Sequence, residues 1–479
     1  MSLLVIDVGT TNVRAVRVEP DGTASDVCRQ PVPCARPAVG VVEHDAEALG
    51  AAVLATAGAV LARGGPVRAV GIAAQRATTV VWERTSGMPV APAISWQDLR
   101  TAGHCLALQR EGLQLLPSQS ATKLALILDR VDRERRRDLC FGTIDTFVAW
   151  TLSAGALHVT DRTNAAVTGL VDLAADGWDP DVLAALHLPE TLLPRLVPTS
   201  GVIGTADALA GAPPIAALVG DQQASLVGQG CLAPGSAKAT FGTGGMLDAT
   251  TGAIRPAFST RGPSGTFPIV AWEDGLSRHW GVEAIMLAAG SCIEWCCRLG
   301  LLASPAESEK VAASVRDAGT AVFVPALEGI GTPTWDFGAR GAFLGLDASA
   351  GRAELVRAVL EGVAQRGADL LDAVEADAGI AVPALGIDGG MSANALFVQL
   401  LADATGRPVA PARMKEATTL GAAFLAGVAA GVWPSLEEAA ATQGERELVE
   451  PRRRLDRSRW LEMRARAENA VPFLSSLRF

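Results

Sequence analysis

The sequence predicts two α/β domains, and three observations carry that prediction. The chain has 479 residues, more than a single hydrophobic core usually supports. Apolar strands alternate with long helices in both halves. A glycine-centred strand–turn–strand opens each half, first in "LLVIDVGTTNVRAVRVEPDG" and again in "SAKATFGTGGMLD" at 236–248. The Pro-Gly break in "CLAPGSA" puts the boundary near residue 231, giving segments 1–231 and 232–479.

In order, the chain starts with an apolar strand, a polar Gly-Thr-Thr-Asn turn and a second strand of alternating pattern, closed by Asp21-Gly22. "HDAEALGAAVLATAGAVLARGG" follows as a helix with Asp45 as N-cap, Leu49, Val53, Val60 and Leu61 on one face, and Gly64-Gly65 as its stop. "VRAVGIAAQRATTVVWERTSGMPV" gives a strand, a polar break and another strand that ends at Ser86-Gly87. The charged run "DRVDRERRRDL" at 129–139 reads as a solvated helix face, because acids are interleaved with its arginines. In "ALVGDQQASLVGQG" at 217–230 a strand runs into Gly220 and a lone acid, Asp221. At 385–406 a strand ends at Asp388-Gly389-Gly390 and a helix begins near Ser392, burying Leu396, Phe397, Leu400 and Leu401. "TTLGAAFLAGVAAGVW" at 418–433, flanked by Lys415 and Glu416, is rich in small residues and shorter than the ~20 apolar residues of a membrane span, so it reads as a buried helix.

Composition narrows the function. With 49% hydrophobic and 19% charged residues the chain is globular rather than disordered. A formal net charge of −10 argues against nucleic-acid or anionic-membrane partners, which select basic surfaces. The 8 cysteines lack metal-binding spacing and read as free thiols of a cytoplasmic protein; no secretory signal is visible, since Asp7 interrupts the first apolar run.

Glycine after a strand closes a turn at no steric cost, so any one of the three glycine-rich turns has a purely structural explanation. Together they suggest more. A hairpin tip without Cβ atoms lets backbone N–H groups approach an anion, and threonine hydroxyls add donors. Two such tips, one from each half, could clamp a polyphosphate, while a strand–Gly-Gly–helix element could admit a flat nucleoside. There is no G-x-x-x-x-G-K-[ST] loop, and "GTGG" lies in a hairpin rather than the βα turn of a dinucleotide fingerprint. Asp7 and Asp221 each end an apolar strand beside glycine, and Asp221 also fits a helix N-cap.

From "IDVGTTNVRAV" onward the chain resembles the FGGY carbohydrate kinases, most nearly their glycerol kinases, over almost its whole length. The collinear segments are "AAQRATTVVWERTSGMPVAPAISWQDLR", "FGTIDTFVAWTL", "HVTDRTNAAVTGL", "VGDQQASLVGQG", "AKATFGTGG", "VPALEGIGTPTWDFGARGAFLGL", "IDGGMSANALF" and "EATTLGAAFLAG". The resemblance implies two ribonuclease H-like (actin-like ATPase) domains with a cleft between them, ATP on the second domain and a polyol or sugar on the first. It makes Asp221 the general base for a primary hydroxyl, and Asp7 with Asp221 the magnesium ligands. Thr10, Thr11, Asn12, Arg14 and Thr243 would face the phosphates, and Gly290, Glu294, Gly390 and Asn394 the nucleoside. Arg76, Ala77, Trp96, Ser118, Asp221, Gln222 and Met246 would line the acceptor. The blander readings are a surface ion pair for Arg76, a core position for Trp96 and a helix-start role for Asn394. Members of the family are commonly dimers or tetramers.

Four positions depart from the glycerol kinase pattern. Ala77 stands for a glutamate, Ser118 for a tyrosine in a chain with no tyrosine at all, Met246 for an aromatic ring, and Glu294 for a glutamine. Losing a charge-assisted hydrogen bond costs roughly 1.5–3 kcal/mol, so a wider pocket suited to a longer polyol or a ketose is the alternative to glycerol. The segment 201–219 lacks the Gly-Gly-Lys-Gly-Gly loop that binds fructose bisphosphate in regulated glycerol kinases, and no such regulation is expected. A non-catalytic sensor is the remaining alternative, opposed by the presence of Asp7, Thr10, Asp221 and Thr243.

Overall fold

The computed structural model describes residues 1–172, 176–412 and 416–477, so Lys415 lies outside the described residues. Two six-stranded sheets organise the chain. The first is made of β1 (Leu3–Val8), β2 (Asn12–Val18), β3 (Ala24–Pro31), β4 (Val70–Ala74), β5 (Ser200–Thr205) and β6 (Pro214–Gly220). The second is made of β7 (Ala237–Phe241), β8 (Gly245–Gly252), β9 (Phe267–Glu273), β10 (Arg278–Met286), β11 (Leu385–Asp388) and β12 (Val409–Pro411). Their orders are β5–β6–β4–β1–β2–β3 and β9–β10–β8–β7–β11–β12. In each, an antiparallel meander (β1–β2–β3 or β7–β8–β10) is continued on the other side by two parallel strands (β4 and β6, or β11 and β12). One plan is used twice, in keeping with the two ribonuclease H-like domains that the resemblance implies.

The helices follow from their caps and apolar faces. Helix α1 (Ala46–Gly64) starts where the Asp45 carboxylate accepts from Ala48 N at 2.9 Å and stops at Gly65, whose φ of 74° suits a residue without Cβ. By length and composition α1 is apolar enough to cross a membrane, but Leu49, Val53, Val60 and Leu61 are buried against the first sheet, as in a core helix. Helix α2 (Ala121–Val131) belongs to a satellite core drawn from residues 81–193, and α3 (Ile144–Leu152) packs beside α1. The charged run after α2 corrects the sequence reading. The helix ends at Val131 because the Asp132 carboxylate accepts from the N–H groups of Arg136 and Arg137, and the arginines occupy an exposed turn with Arg135 at φ 55°.

Helix α4 (Asp221–Gly228) leaves β6 directly, and α5 (Gly290–Arg298), α6 (Arg352–Ala378) and α7 (Ala395–Thr405) cover one face of the second sheet. α7 starts three residues later than the pattern suggested, after a 3-10 turn at Gly390–Ala393. Phe397, Leu400 and Leu401 are buried as expected, but Leu396 only partly. Helix α8 (Ala417–Ala429) is the apolar segment near the end of the chain; it packs on the first sheet and across α4. A methyl group at Gly228 would run into the Ala417 carbonyl and one at Gly421 into the Ala224 carbonyl, so the two glycines set how closely the helices cross.

Strand alternation decides which side chains look between the sheets. In β1, Leu4, Ile6 and Val8 join the α1 core, whereas Leu3 and Val5 pack in the cluster shared with α4 and α8; Asp7 shares their side of the strand. In the second sheet Ala237, Ala239, Leu247, Ala249, Val282 and Ala284 enter the α5–α7 core. Lys238, Asp248 and Glu283 therefore lie on the opposite face, toward the first half.

Candidate active site

Each half delivers one hairpin tip and one set of charges to the region between the sheets. Asp7 and Arg14 are direct partners in the β1–β2 register and form an ion pair; Arg14 also reaches Glu416, at the start of α8, at 2.5 Å. Burial is the largest influence on the Asp7 carboxyl and raises it despite Arg14. Burial works against the Arg14 charge, but the two acids raise it overall. At the tip, Gly9 N donates to the Asn12 carbonyl at 3.0 Å, Thr10 is half-buried and Thr11 exposed. The Asn12 amide is engaged locally, donating to Thr11 Oγ1 at 2.7 Å and accepting from Arg29 Nε at 2.9 Å.

Asp221 is the first residue of α4, with Gly220 in the capping position, so it is not the N-cap that its sequence also allowed. Its side chain is 30% exposed, and its Oδ1 accepts from Gln222 N at 2.8 Å. Burial raises its carboxyl, the nearby Asp7 charge adds to the rise, and Arg76 and Lys238 oppose it. A carboxylate with a raised pKa at the mouth of a helix is suited to accept a proton from a neutral alcohol. Arg76, from the loop after β4, sits with its Nε 3.8 Å from Asp221 Oδ1 and its Nη2 2.5 Å from Glu283 Oε2. Its Nη1 is buried and has no hydrogen-bond partner among the described residues. Burial lowers the Arg76 pKa, but Glu283, Asp221 and Asp248 more than restore it. Arg76 is thus not the surface ion pair of the blander reading.

Glu283, Asp248 and Lys238 were missed from sequence. They are consecutive partners across β10, β8 and β7. Lys238 Nζ lies 2.7 Å from Asp248 Oδ2, and both side chains are wholly buried. The same ammonium donates to Gln222 Oε1 at 2.7 Å and Thr240 Oγ1 at 3.0 Å. Burial and the adjacent Asp248 carboxylate raise the Glu283 carboxyl against the pull of Arg76. The available signal was a single charge inside an otherwise apolar strand: "SAKATF", "MLDATT", "WGVEAIM".

On the acceptor side, Ala77 is buried with φ 59°, a left-handed conformation uncommon for a residue with a Cβ, and its carbonyl accepts from Ser120 Oγ at 3.0 Å. Trp96 is half-buried, so it is not a core residue, and its N–H donates to Thr78 Oγ1 at 3.3 Å. Ser118 is exposed. Lys123, wholly buried on α2, donates to the Ser95 carbonyl at 2.7 Å and the Ser118 carbonyl at 3.2 Å, tying together the loops that carry Trp96 and Ser118. Met246 is half-buried at the start of β8.

On the other side the β7–β8 tip meets α5. Ala289 N and Ser291 N donate to the Thr243 carbonyl at 2.8 and 3.1 Å, and Gly290 N to the Gly242 carbonyl at 2.8 Å. A Cβ at Gly290 would lie 2.5 Å from the Gly242 oxygen, whereas one at Gly390 would meet open space. Thr243 and Gly390 are exposed, as is Glu294 on α5. Asn394 has the helix-start role: its Oδ1 caps α7 by accepting from Phe397 N at 2.9 Å, and its amide donates to Ser308 Oγ at 3.2 Å.

The donor chemistry suits magnesium. The carboxylates of Asp7 and Asp221 are hard oxygen donors that influence one another electrostatically, and no group of three or more His, Cys, Asp or Glu side chains converges among the described residues. Two carboxylates without a full protein cage fit Mg²⁺, which keeps waters and phosphate oxygens in its shell.

Comparison with known proteins places this arrangement. Residues 2–228 match the N-terminal domain of the FGGY family of carbohydrate kinases and residues 237–430 its C-terminal domain. The glycerol kinase of Trichlorobacter lovleyi is 40% identical, covering 98% of both chains, and that of Aromatoleum aromaticum 41%, covering 98% of this chain and 99% of that one. Among solved structures, Plasmodium falciparum glycerol kinase with ADP superposes with a TM-score of 0.89 at 24% identity, over 100% of this chain and 99% of that one. A Rhodospirillum rubrum xylulose kinase does so with 0.84 at 23%, over 99% and 100%. The chain belongs to the FGGY family of carbohydrate kinases.

Proposed function

We propose that this kinase transfers the terminal phosphoryl group of ATP to a primary hydroxyl of glycerol, with residues 1–231 holding the acceptor and 232–479 the nucleotide. The observation that supports it most is the placement of Asp221: a partly exposed carboxylate at a helix mouth, near a second acid and beside an arginine with a buried donor that has no partner among the described residues. In this reading Arg76 and Gln222 orient the acceptor and Trp96 walls it, with Ala77, Ser118 and Met246 completing the pocket. Asp221 takes the hydroxyl proton as the hydroxyl oxygen attacks phosphorus. Asp7 and Asp221 would hold Mg²⁺, which neutralises phosphate charge when bound. Thr10, Thr11, Arg14 and Thr243 face the phosphates with the backbone of the two tips. Gly290, Gly390 and Glu294 border the nucleoside. Asn12 and Asn394 act through the local structure they hold. The free thiols fit the cytoplasm, and the family's habit suggests a dimer or tetramer.

Asp221→Asn should lower turnover by about 10²–10⁴-fold while ATP affinity measured without Mg²⁺ stays within error. Unchanged turnover would remove Asp221 from the mechanism. The small side chain of Ala77 and the exposed Ser118 favour a second acceptor class, a longer polyol or a ketose. Phosphorylation of glycerol, erythritol, xylulose and ribulose at equal concentration decides between them; glycerol turnover far below another acceptor's would overturn the glycerol assignment. Fructose 1,6-bisphosphate should leave the steady-state rate unchanged, because β5 and β6 are joined by a short turn at 206–213.

A further inference from the structure

Arg76 belongs to the first half of the chain, and the carboxylate that holds it belongs to the second. Glu283 is 4% exposed, and its Oε2 lies 2.5 Å from Arg76 Nη2 across 207 residues of sequence. The three nitrogens of the guanidinium are divided: Nη2 is bound to Glu283, Nε is turned to Asp221 at 3.8 Å, and Nη1 is buried with no hydrogen-bond partner among the described residues. Behind Glu283 the cross-strand register continues through Asp248 to Lys238, which reaches back to Gln222 in the first half. The two residues through which this ladder touches the first half, Arg76 and Gln222, are both assigned to the acceptor. Its other end leads, along β7 and β8, to the Gly242–Thr243 tip assigned to the phosphates.

We propose that Glu283 is a positioning residue that couples acceptor binding to nucleotide binding by holding Arg76 across the domain boundary. An ion pair serving one domain's stability alone would have both members in that domain. Here the halves cannot separate without breaking the buried Arg76–Glu283 ion pair. A planar guanidinium has a fixed fork, so an acceptor hydroxyl bound at Nη1 fixes the orientation in which Nη2 meets Glu283. The acceptor thereby favours the joined arrangement, in which the second half's hairpin tip faces the first half's. Such a difference in affinity between two arrangements is what links two sites, and the link is reciprocal.

The inference rests on Arg76 binding the acceptor, and the test separates the two ideas. The affinity of a non-hydrolysable ATP analogue with Mg²⁺ is measured by calorimetry with and without a saturating amount of the acceptor that turns over fastest. In the wild type the acceptor should tighten the analogue about fivefold or more. In Glu283→Gln, which keeps the shape and removes the charge, that factor should fall below about twofold, with the analogue's affinity in the absence of acceptor little changed. Glu283→Asp keeps the charge one methylene short of Arg76; it should give an intermediate factor, and it carries the test if the glutamine variant does not fold. A wild-type factor retained in either variant, even with a lowered melting temperature, marks a merely structural ion pair and overturns the proposal; so does a wild type with no coupling. Arg76→Ala isolates the underlying assignment. Acceptor KM rising tenfold or more in Arg76→Ala while Glu283→Gln couples normally sinks only the role of Glu283. An unchanged KM in Arg76→Ala sinks the acceptor assignment and the coupling with it.

Discussion

Lys123 in the first half and Lys238 in the second are both sealed from solvent, yet their charges are treated in opposite ways. Lys123 faces two backbone carbonyls, and burial pushes its ammonium down to about 7, with Asp98 opposing the shift only in part. Burial acts on Lys238 as well, but Asp248 at 2.7 Å, with Asp388, outweighs it and the pKa rises. Desolvation is common to both, and the difference is a carboxylate at ion-pair distance. The first half uses its lysine as a tie between two acceptor loops. The second uses its lysine as the anchor of a charge ladder. Removing each should therefore fail differently.

The larger effect is expected at Lys238. Lys238→Met leaves Asp248 buried beside Glu283 with no cation of its own, and uncompensated buried charges of this kind cost about 3–5 kcal/mol. Urea unfolding of the variant measures it. A loss under about 1 kcal/mol would mean that the Lys238–Asp248 pair adds little to stability, and the contrast with Lys123 would disappear.

Lys123→Met should be milder, about 1–3 kcal/mol, because it strands two carbonyls rather than a charge. Its kinetic signature should be sharper than its thermodynamic one. The Ser95 and Ser118 carbonyls fix the loops that present Trp96 and Ser118, so acceptor KM should rise several-fold while the KM for ATP holds. Equal changes in both would assign Lys123 to general stability alone.

These two lysines also show where sequence reading stops. The features legible in advance were local: glycines at hairpin tips, Asp45 ahead of an apolar face, Asp221 at the end of an apolar strand. Each is decided by residues within a turn or two of chain. The doubled sheet order and the identity of Arg76 came through resemblance. The ladder did not, because Lys238, Asp248 and Glu283 meet only once β7, β8 and β10 are in register, and Arg76 meets Glu283 only across 207 residues. The misreading of 129–139 had a similar root: a side-chain bond from Asp132 to the backbone ended a helix that charge spacing alone would have continued. Asn394 shows the local case again: the helix-start role visible in its sequence is the one its Oδ1 plays toward Phe397 N.

The smallest effect expected is on pH dependence, and it tests the contrast most directly. In the unfolded chain the Lys123 amine holds its proton up to its ordinary 10.5, whereas in the native protein it gives it up at about 7. Between those values the unfolded state binds more protons, so stability rises with pH, and the gain vanishes as pH falls through 7. Lys238, raised rather than lowered, makes no such contribution in that window. From pH 7 to pH 8 the wild type should gain about 1 kcal/mol over Lys123→Met, close to the limit for a single proton. Because the other titrating groups are common to both proteins, the difference of the two unfolding curves isolates this one amine. A flat difference would show that Lys123 keeps its proton on two carbonyls alone, and that the carboxylate beside Lys238 is not what separates the pair.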